Sequence, residues 1–177
     1  MFVDDWREAS KQRKARLEPR LGFVHVDIQA IMEGVRREHF PHLPQRLQFF
    51  FVRRGSLACV CFDDNVATVY AHEVLNHSET PEEVFSTVCK HELLHLVVPK
   101  REVKGRVTSH PPEFWEREDQ IAPERDMAWR WLLMHLGNCL KRRPQLERID
   151  VMASWRLAHR LQMMRKACPP SLEAVGW

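Results

Sequence analysis

The sequence has 177 residues, a net charge of +3 and five cysteines, and 44% of its residues are hydrophobic. This length fits one domain with an ordinary core, and the absence of a long apolar run argues against a membrane-spanning helix. The odd cysteine count, with no C-x-x-C pair, argues against a disulfide scaffold or a cysteine zinc ribbon. The N-terminus carries early acids and no apolar stretch typical of a secretory signal, so we expect a cytoplasmic protein.

The first third of the chain predicts a helix followed by three strands. Segment 1–20 is charged and predicts a short helix or arm. Asp27 is a typical N-cap, and the apolar residues after it follow helical spacing until Pro41 and Pro44 end the helix. Short connections join the three strands that follow this helix. They predict that the strands pair as antiparallel neighbours or a meander, in a small, mostly antiparallel sheet. The predicted strands are 47–53, 57–62 and 66–75.

A second helix is predicted from the stretch Thr80-Pro81-Glu82-Glu83. Thr at the N-cap, Pro at N1 and Glu at N3 form a capping-box signature, and the helix should run to about Val97, before Pro99. Its apolar stripe includes His91 and His95, so both imidazoles are expected to face inward. The predicted solvent-facing residues are Glu83, Ser86, Thr87 and Lys90.

Two long helices are predicted at about 123–142 and 145–166, separated by Pro144, and the order of elements predicts an α+β domain. Basic residues concentrate at this end, because 141–166 holds eight Lys and Arg against two Asp and Glu. Such a face on these helices could bind DNA phosphates, although a solvated helix surface is the simpler interpretation. The candidate residues are Lys141, Arg142, Arg143, Arg148, Arg156 and Arg160.

The segment His91-Glu92-Leu93-Leu94-His95 has the H-E-x-x-H spacing of zinc hydrolases. The composition of the chain would produce about 0.05 such matches by accident, so the surroundings of the motif have to decide. On a helix the two imidazoles lie one turn apart on one face, where they supply two of the three protein ligands of a catalytic Zn²⁺ site. Glu92 can then accept a proton from the activated water.

A third ligand is expected downstream of the helix. His110 is the preferred candidate, because it lies at a helix start in the segment H-P-P-E-F-W. A carboxylate on the following helix, from Glu116 or Glu118, would give the alternative arrangement of ligands. The spacing excludes the short H-x-x-G-x-x-H arrangement of metzincins. The further acidic candidates in this region are Glu113 and Asp119.

Residues 45–120 resemble the SprT-like zinc metalloproteases, which are related to the YgjP-type and WLM hydrolases. The resemblance lies in H-E-L-L-H, a loop of 14 residues and then H-P-P-E-F, preceded by a strand and a "TPEE" segment. It implies that His91, His95 and His110 bind zinc and that Glu92 is the general base. Pro111 departs from the family pattern, which often has Gly at this place.

The resemblance implies a minimal zincin-like fold and a zinc-dependent metallopeptidase acting on protein or peptide substrates. We expect the chain to consist of a charged arm (1–20), a zincin-like core (21–120) and a helical C-terminal extension packed on the core (121–177). The strand at 66–75 is expected to line the cleft, where an extended peptide could add a strand. Residues after the third ligand are expected to buttress the site, namely Glu113, Phe114 and Trp115.

Other interpretations of the same residues stay open. Tyr70, the only tyrosine, is a candidate to stabilise an oxyanion, but a place in the core is the simpler interpretation. The enzyme could also be a zinc hydrolase with a non-protein substrate. A nucleic-acid-associated module with a structural zinc site is the alternative of another class, and Glu92 argues against it because a structural site needs no base.

Overall fold

A computed structural model describes residues 26–103, 105–144 and 147–167, which form an α+β arrangement, so the predicted α+β class is confirmed. The predicted arm at 1–20 lies outside the described residues. Within these ranges, no helix is long and apolar enough to cross a membrane. The helices are α1 (Ile28–His39), α2 (Glu82–Val97), α3 (Pro112–Ile121), α4 (Arg125–Leu136) and α5 (Trp155–Ala167). The strands are β1 (Arg46–Val52), β2 (Ala58–Phe62), β3 (Val66–His72), β4 (Arg101–Val103), β5 (Arg106–Thr108), β6 (Leu140–Arg143) and β7 (Arg148–Val151).

The first three strands form one sheet in the order β1-β3-β2. β2 and β3 pair antiparallel across a turn in which Asp63 Oδ1 accepts hydrogen bonds from Asn65 N and Val66 N, at 3.0 and 2.9 Å. β1 pairs with β3 in parallel, with Arg46 opposite Val66, so the predicted pairing of β1 with its sequence neighbour β2 is wrong. β3 is buried along almost its whole length, which favours the central position with a partner on each edge. The remaining pairs, β4–β5 and β6–β7, are antiparallel hairpins.

The metal-binding helix predicted from the sequence is α2, but it does not begin with a capping box. Its N-cap is Pro81, which has no side chain that could cap the helix. Thr80 is fully buried, and its hydroxyl donates instead to the carbonyl of Leu75 at 2.8 Å. Thr80 therefore stabilises the turn between α2 and the 3₁₀ segment Glu73–Leu75, which follows β3.

α2 is buried on more than the one face that the sequence predicted. Phe85, Leu93 and Leu94 lie fully buried in the core. Thr87 and Lys90, expected on the solvent side, are only 7% and 8% exposed. The reason is that α1, α3 and α4 pack around α2 as well as the sheet. α2 is the central element of the fold, and it is held on several sides.

The C-terminal region contains a β-hairpin where the sequence predicted helix. α4 ends at Leu136, and a 3₁₀ turn, the β6–β7 hairpin and α5 follow, so the helices predicted at 123–142 and 145–166 are wrong where they meet. Leu140 and Ile149 pack on the core from one face of the hairpin, a period of two that is typical of strands. The opposite face, called the basic face below, carries Lys141, Arg143 and Arg148 together with Asp150.

Candidate metal centre

Three histidine side chains converge beside the C-terminal half of α2. His91 and His95 lie one turn apart on this helix, and His110 comes from the loop between β5 and α3. One ring nitrogen of each histidine lies within 4.8 Å of the other two, and His91 Nε2 is 3.1 Å from His110 Nε2. Two ligands at about 2.0–2.1 Å from one tetrahedral zinc ion would lie about 3.3 Å apart. The three imidazoles are therefore close enough together to bind one metal ion.

A tight hairpin and two prolines bring His110 back to α2. Gly105 lies between β4 and β5 with a φ of 75°, a conformation that glycine adopts without steric cost. Pro111 is the N-cap of α3 in an extended conformation, and Pro112 occupies the first turn of that helix. The chain therefore turns sharply on both sides of His110. These turns bring the imidazole of His110 against His91 on α2.

The pKa of His95 is consistent with a role as a metal ligand. Burial, together with the nearby rings of His91 and His110, lowers the pKa of His95 to about 2. Its imidazole is therefore neutral near pH 7. A neutral ring offers the nitrogen lone pair that a metal ligand needs.

Glu118 on α3 contacts Nδ1 of His91, the ring nitrogen that does not face His110. Its Oε1 lies 2.6 Å from His91 Nδ1, and its Oε2 accepts a hydrogen bond from the Arg125 guanidinium at 3.1 Å. Burial opposes the charge of this carboxylate, but its contacts with His91 and Arg125 lower the pKa of Glu118 below its ordinary value. A carboxylate at Nδ1 leaves Nε2 directed at the site, as in carboxylate–histidine–zinc pairs. The sequence makes Glu118 a candidate third ligand, but the structure places its carboxylate at Nδ1 of His91 and outside the histidine cluster.

The aromatic residues after His110 pack around the three imidazoles. Phe114 is fully buried, and its ring centroid lies 4.7–5.1 Å from those of all three histidines. Trp115 stacks on His110 with 5.1 Å between ring centroids and 23° between planes. Glu113 does not share this packing, because it pairs with Arg101 at 2.5 Å and so joins α3 to β4. Two of the three predicted buttressing residues therefore contact the histidines.

Glu147, which the sequence did not single out, contacts the third histidine. Its Oε2 lies 3.3 Å from His110 Nδ1. The residue lies beside the β6–β7 turn, 37 positions after His110. No motif or periodicity connects residues so far apart, so their proximity depends on the tertiary fold.

Glu92 lies buried between α2 and β2. Its side chain is 5% exposed, and its carboxylate accepts a hydrogen bond from the backbone of Val60. Burial raises the pKa of Glu92 to about 7, against the opposing effect of the neighbouring His91. A carboxyl group with a pKa near neutrality can both accept and return a proton at that pH.

The strand beside Glu92 is β2, not β3 as expected from the sequence. β3 is central and has both edges occupied, so the strand predicted at 66–75 cannot accept an extended peptide. Asp63 N donates to Val66 O at 3.0 Å, and this bond sets the alternation of the antiparallel β2–β3 ladder. The backbone groups of Val60 and Phe62 consequently face the outer edge of β2. A peptide that adds a strand here would lie on the side of the carboxyl group of Glu92.

Tyr70 lies on the other face of the sheet from α2. It forms a small cluster with Val52 and Cys61, separate from the core that includes α2, and it stacks on Phe50 at 6.2 Å. Burial raises the pKa of its hydroxyl above the ordinary value. The sheet separates this ring from α2, which leaves the predicted oxyanion role without geometric support.

The six basic residues predicted as a DNA-binding face do not lie on one helical surface. Lys141, Arg143 and Arg148 are on the basic face of the hairpin, beside a cavity of about 310 Å³. Arg142 lies on the opposite face of that hairpin by strand alternation. Only Arg156 and Arg160 are on a helix, α5, and both are exposed. Arg156 pairs with Glu73 and lies over Trp155, 5.1 Å from the ring centroid.

An open cavity of about 460 Å³ adjoins the histidine cluster on the side of His110. Trp115 forms one wall and is 45% exposed. Val103 and Pro112 add apolar surface, while Arg106 and Glu147 contribute opposite charges. This cavity gives a ligand access to the third histidine from the surface.

Comparison of the chain with protein-family models, with curated proteins and with solved structures finds no match. The likeness to SprT-like proteases therefore depends on the residues of the motif and its surroundings. The structure adds that His91, His95 and His110 are brought together in space, with Glu92 buried next to the first of them.

Proposed function

We propose that this protein is a zinc-dependent metallopeptidase of the SprT-like, minimal zincin type. His91, His95 and His110 hold the zinc, and Glu92 is the general base. One observation carries the proposal. The three imidazoles converge beside the helix that also carries Glu92, and their donor nitrogens lie within 4.8 Å of one another. Zinc is the favoured ion because three imidazole nitrogens with an open position are typical of catalytic zinc sites.

The number of ligands supports a catalytic rather than a structural site. Among the described residues, the cluster that can hold a metal contains three histidines and no fourth side chain. Structural zinc sites are closed by four protein ligands, whereas catalytic sites leave one position for water or substrate. The buried Glu92 beside His91 favours the same interpretation, since a structural site needs no base.

In this proposal the bound zinc supplies Lewis acidity toward the peptide carbonyl and toward the attacking water. Glu92 accepts one proton of that water and delivers it to the leaving amide nitrogen, as the C–O bond forms and the C–N bond breaks. His91 keeps its Nε2 atom directed at the site, because Glu118 lies at its Nδ1 atom. The outer edge of β2, on the side of the carboxyl group of Glu92, is the surface where an extended substrate would pair.

Hydrolysis of an unfolded protein by the zinc-loaded chain tests the proposal. Casein, histones and the chain itself are suitable substrates, and cleavage products are measured by gel and mass spectrometry. We expect cleavage by the wild-type protein and a loss of roughly 10²–10⁴-fold in kcat for Glu92→Gln, which removes the base but nearly keeps the shape. Equal rates for zinc-loaded wild type and Glu92→Gln would contradict the assigned base.

Loss of zinc from Glu92→Gln would instead mean that Glu92 is needed to maintain the zinc site. Metal content is therefore measured on the same samples. If the wild-type protein binds zinc but cleaves no protein substrate, a zinc hydrolase of a non-protein substrate becomes the better description.

A further inference from the structure

Glu147 contacts three consecutive residues, the last residue of β5 and the two loop residues that follow it, of which the second is His110. Its carboxylate accepts hydrogen bonds from the hydroxyl of Thr108 and from Ser109 N, the latter at 2.7 Å. The same carboxylate lies 3.3 Å from His110 Nδ1. Thr108 Oγ1 in turn accepts a hydrogen bond from His110 N at 3.0 Å. The side chain and the backbone of His110 are thus both connected to one acidic residue from a distant part of the chain.

The backbone conformation of Glu147 is unusual. Its φ of 48° is the single positive value at a non-glycine residue in the described part of the chain. Such a conformation is uncommon outside glycine, and it occurs often at functional sites. The two arginines of the same hairpin, Arg143 and Arg148, pair with Asp150 instead, at 3.3 and 2.8 Å.

We propose that Glu147 is the positioning residue of the third metal ligand, so that the β6–β7 hairpin completes the metal centre. His110 Nδ1 donates its proton to the carboxylate, which leaves the Nε2 lone pair directed toward His91 Nε2. The hydrogen bonds to Ser109 and Thr108 hold the loop backbone that carries the ring. This proposal rests on the proposed zinc site, and it gives the C-terminal region a duty in that site.

The experiment compares zinc affinity, by competition with a chelating dye, in four variants of the full chain. Glu147→Ala removes the carboxylate, and Glu147→Gln keeps an acceptor but removes the charge. Asp150→Asn is the matched control, because Asp150 lies on the same hairpin and pairs only with arginines in the contacts above. His110→Ala removes the ligand itself. The thermal midpoint of each metal-free protein is measured in parallel.

We expect Glu147→Ala to weaken zinc binding by about 10–100-fold, as is typical of partners behind a histidine ligand. Glu147→Gln should fall between this variant and wild type, and Asp150→Asn should match wild type. The visible spectrum of the Co²⁺-loaded protein should change in Glu147→Ala, because the orientation of one ligand is released. The Co²⁺ spectrum is the readout that a purely structural role of Glu147 would leave unchanged, and the metal-free midpoints record any loss of stability separately.

Zinc affinity and a Co²⁺ spectrum like those of wild type in both Glu147 variants would overturn the proposal. If Glu147→Ala does not fold, wild-type affinity in Glu147→Gln overturns it alone. An equal loss of zinc affinity in Asp150→Asn would also overturn it, because the hairpin as a whole would then be responsible. Loss of zinc in His110→Ala without loss in the Glu147 variants refutes this inference and leaves the proposed function intact. Retention of full affinity in His110→Ala refutes the proposed zinc site itself.

Discussion

Replacing Glu118 by alanine should weaken both the fold and the metal site. Glu118 is 2% exposed and binds two partners, His91 Nδ1 at 2.6 Å and the Arg125 guanidinium at 3.1 Å. Hydrogen bonds to charged groups contribute about 1.5–3 kcal/mol each. Because Arg125 is partly exposed and regains water, we expect a total loss of only about 2–3 kcal/mol. For a chain of this size, such a loss lowers the thermal midpoint by roughly 4–12 °C.

The same substitution should reduce zinc affinity by about 10–100-fold, because His91 loses the carboxylate that fixes its tautomer. Calorimetric unfolding of the metal-free protein and zinc competition measure the two effects separately. Asp119→Asn is the matched control, since Asp119 also pairs with Arg125 but is largely exposed. Exposed pairs contribute about 0–1 kcal/mol, so this variant should stay close to wild type in both assays. A Glu118→Ala protein with unchanged zinc affinity would refute the role assigned to this carboxylate.

Other parts of the structure are tested by His110→Ala, by Lys90→Met and by DNA binding. His110→Ala should lose most of its bound zinc in elemental analysis, and full retention would refute the three-histidine site. Lys90→Met should destabilise the protein by about 1–3 kcal/mol, because it leaves the half-buried Glu124 without the ammonium group 2.6 Å away. Burial opposes the charge of Glu124, but Lys90 and Ser86 lower its pKa. The ion pair therefore stabilises the fold above the unfolded pKa and is lost as the pH falls through the lower folded value, so urea unfolding should show the two proteins converging in acid. We also propose DNA as a partner of the basic face. The affinity of the protein for DNA should fall steeply with salt. The absence of DNA binding at about 50 mM salt would contradict this proposal.

Local spacing is sufficient to predict the helical part of the candidate metal centre. His91 and His95 had to share a face once the segment was helical, and Pro99 marked its end. The prolines after His110 predicted a helix start that places the third ring, because proline favours the first turn. These are interactions within a few residues, which sequence patterns record directly.

Contacts between distant segments could not be predicted in the same way. The parallel pairing of β1 with β3 depends on which strand is buried on both sides, not on the length of the turns. Glu118 was recognised as a possible ligand, but only the packing of α3 on α2 places it behind His91. Glu147 lies in a basic stretch that was interpreted as helix, and its contact with His110 requires the β6–β7 hairpin.

X-ray absorption at the zinc edge of the zinc-loaded wild-type protein would show directly whether three histidines hold the metal in an open site. One zinc per chain should be surrounded by three imidazole nitrogens at about 2.0–2.1 Å and by one or two oxygen atoms from solvent. This result would establish an open, three-histidine site of the kind that hydrolysis requires. Four protein ligands, sulfur at about 2.3 Å, or the absence of stoichiometric zinc would contradict the account.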